Sequence, residues 1–180
     1  MLVRAILFLI DSLAGLLSLA LLLRFFMQAF HVSFRNPLGQ FIMAVTNWLV
    51  LPFRRFLPGL FGLDMASLLP AYLVQLLPPM AALLLYDGTM GSSALYAPIV
   101  FLFGQALRAT LRLGAHLMVA ALILCALFSW FSIPTPIAQP VSQLTRPLLQ
   151  PIQRFLPLVG GFDLSPLVAI LALELVILFL

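Results

Sequence analysis

Residues 136–167 read PIAQPVSQLTRPLLQPIQRFLPLVGGFDLSPL, and residues 37–68 read PLGQFIMAVTNWLVLPFRRFLPGLFGLDMASL. The two stretches lie 99 residues apart and align without a gap. Pro37 pairs with Pro136, Gln40 with Gln139, Thr46 with Thr145 and Pro52 with Pro151. Arg55-Phe56-Leu57-Pro58 pairs with Arg154-Phe155-Leu156-Pro157, Gly62 with Gly161, and Asp64 with Asp163. Each copy is amphipathic and proline-rich, and each ends where a long apolar run begins. The chain therefore reads as a tandem duplication, with units at residues 1–87 and 94–180.

Composition says what kind of unit this is. A mean hydropathy of +1.20, 64% apolar residues and 8% charged residues describe a membrane protein, because soluble domains carry about a quarter charged residues. Two units in 180 residues leave room for two spans and a loop apiece, and for no separate soluble domain. All 9 basic residues are arginine. They are scattered, with no basic run or aromatic stacking motif, which argues against a nucleic-acid partner. They suit lipid headgroups and the setting of topology. The single cysteine, Cys125, gives no disulfide framework and no zinc spacing. The first apolar stretch is too long for a cleavable signal peptide.

Four spans are expected, at about residues 2–30, 64–86, 113–131 and 163–180, the first longer than the ~20 residues a bilayer core requires and the others near it. Arg24 lies toward the end of the first span and is expected to snorkel outward. Asn36-Pro37 reads as a turn into an amphipathic helix that Pro52 should end or kink. Asp64 and Asp163 stand where helix caps belong. Pro78-Pro79 should interrupt the second span. Residues 94–112 carry a polar stripe of Gln105, Arg108, Arg112 and His116, and read as an amphipathic lead-in or an overlong helix end. In the second loop Gln139, Gln143, Arg146, Gln150 and Gln153 fall on one helix face, opposite Val141, Leu144, Leu148, Ile152 and Phe155. Pro147 and Pro151 predict a kink in this interfacial helix. The fold expected is all-α: two parallel helical hairpins, each joined by a proline-kinked amphipathic helix. The loop arginines (Arg35, Arg54 and Arg55, then Arg146 and Arg154) put both loops in the cytoplasm and both termini outside. Arg54, Arg55, Arg146 and Arg154 are the candidates for headgroup or partner contact.

Ionisable groups inside the membrane are expensive and often functional. They are Asp11, Arg108, Arg112, His116 and Glu174. Gln75 stands 99 residues before Glu174, and both lie eleven residues after an aspartate, on a shared helix face. At about 1.5 Å per residue, Glu174 and His116 reach similar depths from one membrane face. The pairs expected are Glu174–His116 and Asp11–Arg112, either as buried locks between helices or as a path for ions. No metal cluster, nucleophile elbow, phosphate loop or dinucleotide fingerprint is present, so neither an enzyme nor a cofactor is expected. Gly160-Gly161 reads as a tight turn.

The pattern of an apolar span, NP or TP, an amphipathic stretch, P-[ILF]-x-R-[FL]-L-P, a GG-[FL]-D-[LI]-S-P turn and a second span resembles the YggT family of small membrane proteins. In chloroplast and Gram-positive members the family is called YlmG. The second copy is the nearer match; the first has Leu60-Phe61-Gly62 for the Gly pair and Met65-Ala66-Ser67 for LSP. The resemblance covers essentially the whole chain. It implies a non-enzymatic inner-membrane protein, linked in bacteria to osmotic or envelope stress and ion uptake, and elsewhere to cell division and the assembly of a cytochrome b-type complex. It supplies no catalytic residue. The function expected is an accessory or assembly protein with a membrane-protein partner or a second copy of itself. The alternative is a channel or ion-transport component.

Overall fold

The computed structural model describes residues 1–56, 64–86, 96–131, 135–154 and 163–180. Gly62, the 87–93 turn and the Gly160-Gly161 turn lie outside them. Seven helices form among the described residues: α1 (Leu2–Ala29), α2 (Pro37–Phe56), α3 (Met65–Gln75), α4 (Leu77–Tyr86), α5 (Tyr96–Phe131), α6 (Ala138–Gln153) and α7 (Ser165–Phe179). Three stretches are long and apolar enough to cross a membrane: Leu2–Ala29, Met65–Leu85 and Val100–Trp130. The fourth expected span is the 15-residue α7, apolar but only about 22 Å long at 1.5 Å per residue.

α1 ends in a left-handed turn. His31 takes φ 55°, its N–H donates to the Gln28 carbonyl at 3.1 Å, and the Val32 N–H donates to the Met27 carbonyl at 2.7 Å. This is a Schellman motif with histidine where glycine is usual, and buried Val32 packs on it. The turn folds α2 back against α1. α2 starts at Asn36, whose Oδ1 accepts the Gly39 N–H at 2.7 Å, with Pro37 at the first helical position. Glycine is required at position 39, since a Cβ there would lie 2.6 Å from the Phe34 Cα.

The prolines act less uniformly than the sequence suggests. α2 runs through Pro52 to Phe56, and α6 runs through Pro147 and Pro151. Among the described residues only Pro78-Pro79, two missing donors in succession, coincide with a helix break, at Leu76. α5 is one unbroken helix of 36 residues, about 54 Å long, so the lead-in and the span are a single element. Polarity marks a helix face. It does not end the helix, and Pro98 sits harmlessly in the first turn.

α1 packs against α2, α3 and α4, while α5 packs against α6 and α7, and the halves meet where α5 touches α1 and α3. Small residues let α1 and α3 approach closely: Ala14 and Ser18 on one, Ser67 and Ala71 on the other, all buried. The Ser18 hydroxyl donates to the Ala71 carbonyl at 3.1 Å. Between the halves the Tyr72 ring stacks on Phe103, and its hydroxyl donates to the Phe103 carbonyl at 3.2 Å.

Candidate functional site

Two polar sites occupy matching places in the two halves. In the first, the Arg24 side chain is buried (4% exposed) between α1 and α2. It does not snorkel: Nη1 donates to Thr46 Oγ1 at 2.8 Å and to Asn47 Oδ1 at 2.9 Å. The chain turns back at His31 and brings α2 alongside, so two acceptors lie within reach and outward escape gains nothing. The Thr46 hydroxyl donates in turn to the Ile42 carbonyl at 2.6 Å. Nearby, Arg54 donates to the buried Asp64 carboxylate at 2.9 Å and to Gln28 Oε1 at 3.2 Å, and Ser67 donates to Asp64 at 2.7 Å. Asp64 occupies the N-cap position of α3, but its carboxylate accepts from side chains and makes no side-chain capping bond.

In the second half Gln153 donates to Asp163 at 2.8 Å, repeating the Arg54–Asp64 contact 99 residues on. The Thr145 hydroxyl donates to the Val141 carbonyl at 3.1 Å, as Thr46 does to Ile42. The N-cap of α7 is Leu164, and Asp163 just before it accepts the Ser165 N–H at 2.9 Å. Burial works against the ionised Asp163 carboxylate. The hydrogen bonds from Ser165 and Gln153 outweigh it and hold the group below the usual carboxylate range. Ile123 stands where the first half has Arg24, and Arg146 where it has Asn47. An open cleft of about 720 Å³ lies between α5, α6 and α7, lined on its polar side by Gln139, Ser142, Gln143, Arg146, Gln153 and Asp163.

Of the ionisable residues expected inside the membrane, three meet at a third place. Asp11, Arg108, Arg112, His116 and Glu174 are all exposed, while Gln75 is buried. Gln75 and Glu174 therefore differ in environment: the one faces the bundle and the other its surface. Arg112, His116 and Glu174 line one open cleft of about 400 Å³ with Ile177 and Leu178. His116 Nδ1 lies 2.7 Å from the Arg112 carbonyl of its own helix. Among the described residues Arg54–Asp64 is the only ion pair, so neither Glu174–His116 nor Asp11–Arg112 is closed. Arg55, Arg146 and Arg154 are exposed. No three His, Cys, Asp or Glu side chains group as metal ligands among the described residues.

The buried site of the first half was not read from the sequence, because Arg24 and Thr46 meet only through the fold. One signal for its lower part was available. Arg54 and Asp64 are ten residues apart, as are Gln153 and Asp163 in the aligned copy, and both pairs can hydrogen-bond.

The profile of the CCB3/YggT family matches residues 3–85 and again residues 104–180. The chain belongs to the CCB3/YggT family. It is 38% identical to an uncharacterised protein of Pseudomonas aeruginosa over 174 residues, 96% of this chain and 86% of that one. It is 36% identical to the uncharacterised protein YggT of Escherichia coli K12 over 167 residues, 92% and 84% of the two chains. An uncharacterised protein of Vibrio alginolyticus is 34% identical over 168 residues, 93% and 88%. No solved structure is significantly similar. The descriptions of these relatives carry no reaction, and the helices fit a membrane protein.

Proposed function

We propose that the chain is a non-enzymatic accessory or assembly protein of the bacterial inner membrane that works through contact with another membrane protein. One observation carries this reading: Arg112, His116 and Glu174 surround an open cleft on the bundle surface. His116 lies about 21 Å along α5 from Trp130, and Glu174 about 14 Å along α7 from Ser165. Both depths fall within a hydrocarbon core of ~30 Å. Exposed charge at that depth is costly, and a protein neighbour that hydrogen-bonds it removes the cost. Four spans in two parallel repeats accommodate this, with α7 as the short fourth span. The hydrogen bonds repeated 99 residues apart support the repeat. The loop arginines support cytoplasmic loops and periplasmic termini. A role in osmotic or envelope stress belongs to the same reading.

The test is isolation of the tagged protein in a mild detergent. A stoichiometric membrane-protein partner is expected with the wild type and is lost from the R112Q/E174Q double variant. A lone chain of the same mass in both preparations overturns the reading. The same cleft also favours a second reading, a conducting component with Asp11, Arg112, His116 and Glu174 along an ion path. That reading expects ion flux in proteoliposomes, abolished by E174Q at unchanged protein level.

A further inference from the structure

The cleft between α5, α6 and α7 is separate from the Arg112–Glu174 cleft, and its lining has two chemical characters. Cys125, Phe128, Leu149 and Pro166 give it an apolar wall. α6 gives it a polar wall, on which Arg146 is exposed and makes no hydrogen bond or ion pair among the described residues. In the first half the matching residue, Asn47, is occupied by Arg24. The second half has Ile123 in place of that internal cation, so its own cation, Arg146, faces an open space. Asp163 lines the same cleft and presents the opposite charge. Its carboxylate accepts one hydrogen bond on each oxygen, from Gln153 and from the Ser165 N–H, which leaves a lone pair on each.

Position narrows the ligand. Phe128 and Ser129 lie in the last turn of α5, and Asp163 and Pro166 at the start of α7. Where spanning helices end, lipid headgroups begin. A volume of about 720 Å³ holds a headgroup and the first part of its chains. A guanidinium is suited to phosphate, and a carboxylate to an ammonium with N–H donors.

We propose that this cleft binds the headgroup of an ethanolamine phospholipid, with the phosphate on Arg146, the ammonium on Asp163 and the acyl chains along Phe128 and Leu149. Choline lipids offer the same phosphate but no N–H for Asp163. Glycerol lipids offer a phosphate and no cation.

The experiment is native mass spectrometry of the full chain, stripped of lipid in detergent and offered ethanolamine, choline and glycerol phospholipids with identical chains. The wild type retains the ethanolamine lipid about tenfold better than the choline lipid, as the loss of one charge-assisted hydrogen bond dictates. Stepwise N-methylation of the headgroup lowers retention progressively, which tests Asp163 without altering the protein. R146Q, an exposed change that spares the fold, loses about tenfold for ethanolamine and choline lipids alike. Equal retention of the two lipids by the wild type overturns the proposal, as does retention unchanged by R146Q. Preference for the glycerol lipid overturns it too, leaving a simple anion site. Displacement of the lipid by millimolar O-phosphoethanolamine would assign the cleft to a soluble phosphoamine and overturn the lipid as its ligand.

Discussion

Thr46 and Thr145 form an internal experiment. Both are fully buried, and both hydroxyls donate to the carbonyl four residues earlier. Only Thr46 also accepts from a buried arginine. Replacing either by valine keeps the shape and removes the hydroxyl, but T46V also takes away one of the two acceptors of the buried Arg24, leaving Asn47. A hydrogen bond to a charged group is worth about 1.5–3 kcal/mol and a neutral one about 1. T46V is therefore expected to cost about 1.5–3 kcal/mol and T145V about 1 or less, read by thermal unfolding in detergent. Equal losses would contradict the role given to Arg24. The double variant R24M/T46V should recover part of the loss, because a buried charge left with one acceptor is the larger penalty. At the end of α1, His31 holds a left-handed conformation that costs a non-glycine residue about 1–2 kcal/mol. The greater freedom of glycine in the unfolded chain offsets part of this, so H31G should stabilise by about 0.5–1 kcal/mol. An unchanged or lower melting temperature would contradict the strain.

Among the elements, α6 was legible because a helical period shows in the sequence: Gln139, Gln143, Arg146, Gln150 and Gln153 are exposed, while Val141, Leu144, Leu148 and Ile152 are buried or half-buried. Of the two readings open for residues 94–112, the overlong helix end is the one α5 takes, because a polar stripe marks a helix face and leaves the backbone hydrogen bonds intact. The burial of Arg24 was illegible for a different reason. A lone arginine near a span end can turn outward or inward, and the choice depends on acceptors some 22 residues away. At the α6–α7 junction, Asp163 links the two helices through Gln153 and Ser165. Its folded value lies below the usual 3.8, so it contributes stability at any pH above about 4 and loses that contribution as the pH falls through the lowered folded value. Acid unfolding of the wild type should steepen below about pH 4, and D163N should remove that component while leaving the profile between pH 5 and 7 flat. Parallel acid profiles for the two proteins would show that the junction does not depend on the charge.

Across the whole molecule one contact recurs 99 residues apart, Arg54–Asp64 and Gln153–Asp163, while charge is kept in different places. The first half encloses Arg24, pairs Arg54 with Asp64 and leaves Asp11 exposed. The second leaves Arg112, His116, Arg146 and Glu174 exposed. A protein that worked alone in lipid would bury or pair such charges, since nothing in hydrocarbon satisfies them. The grouping of Arg112, His116 and Glu174 around one open cleft is thus the feature that asks for a partner. The most direct measurement is photo-crosslinking in intact membranes from a probe at Ile177, beside Glu174, compared with one at the exposed Leu19 on α1, two turns from any charge on the preceding part of that helix. The account predicts a protein adduct of defined mass from Ile177, absent from Leu19 and lost when Arg112 and Glu174 are both neutralised. Lipid adducts alone at Ile177, with the wild-type charges in place, would contradict it.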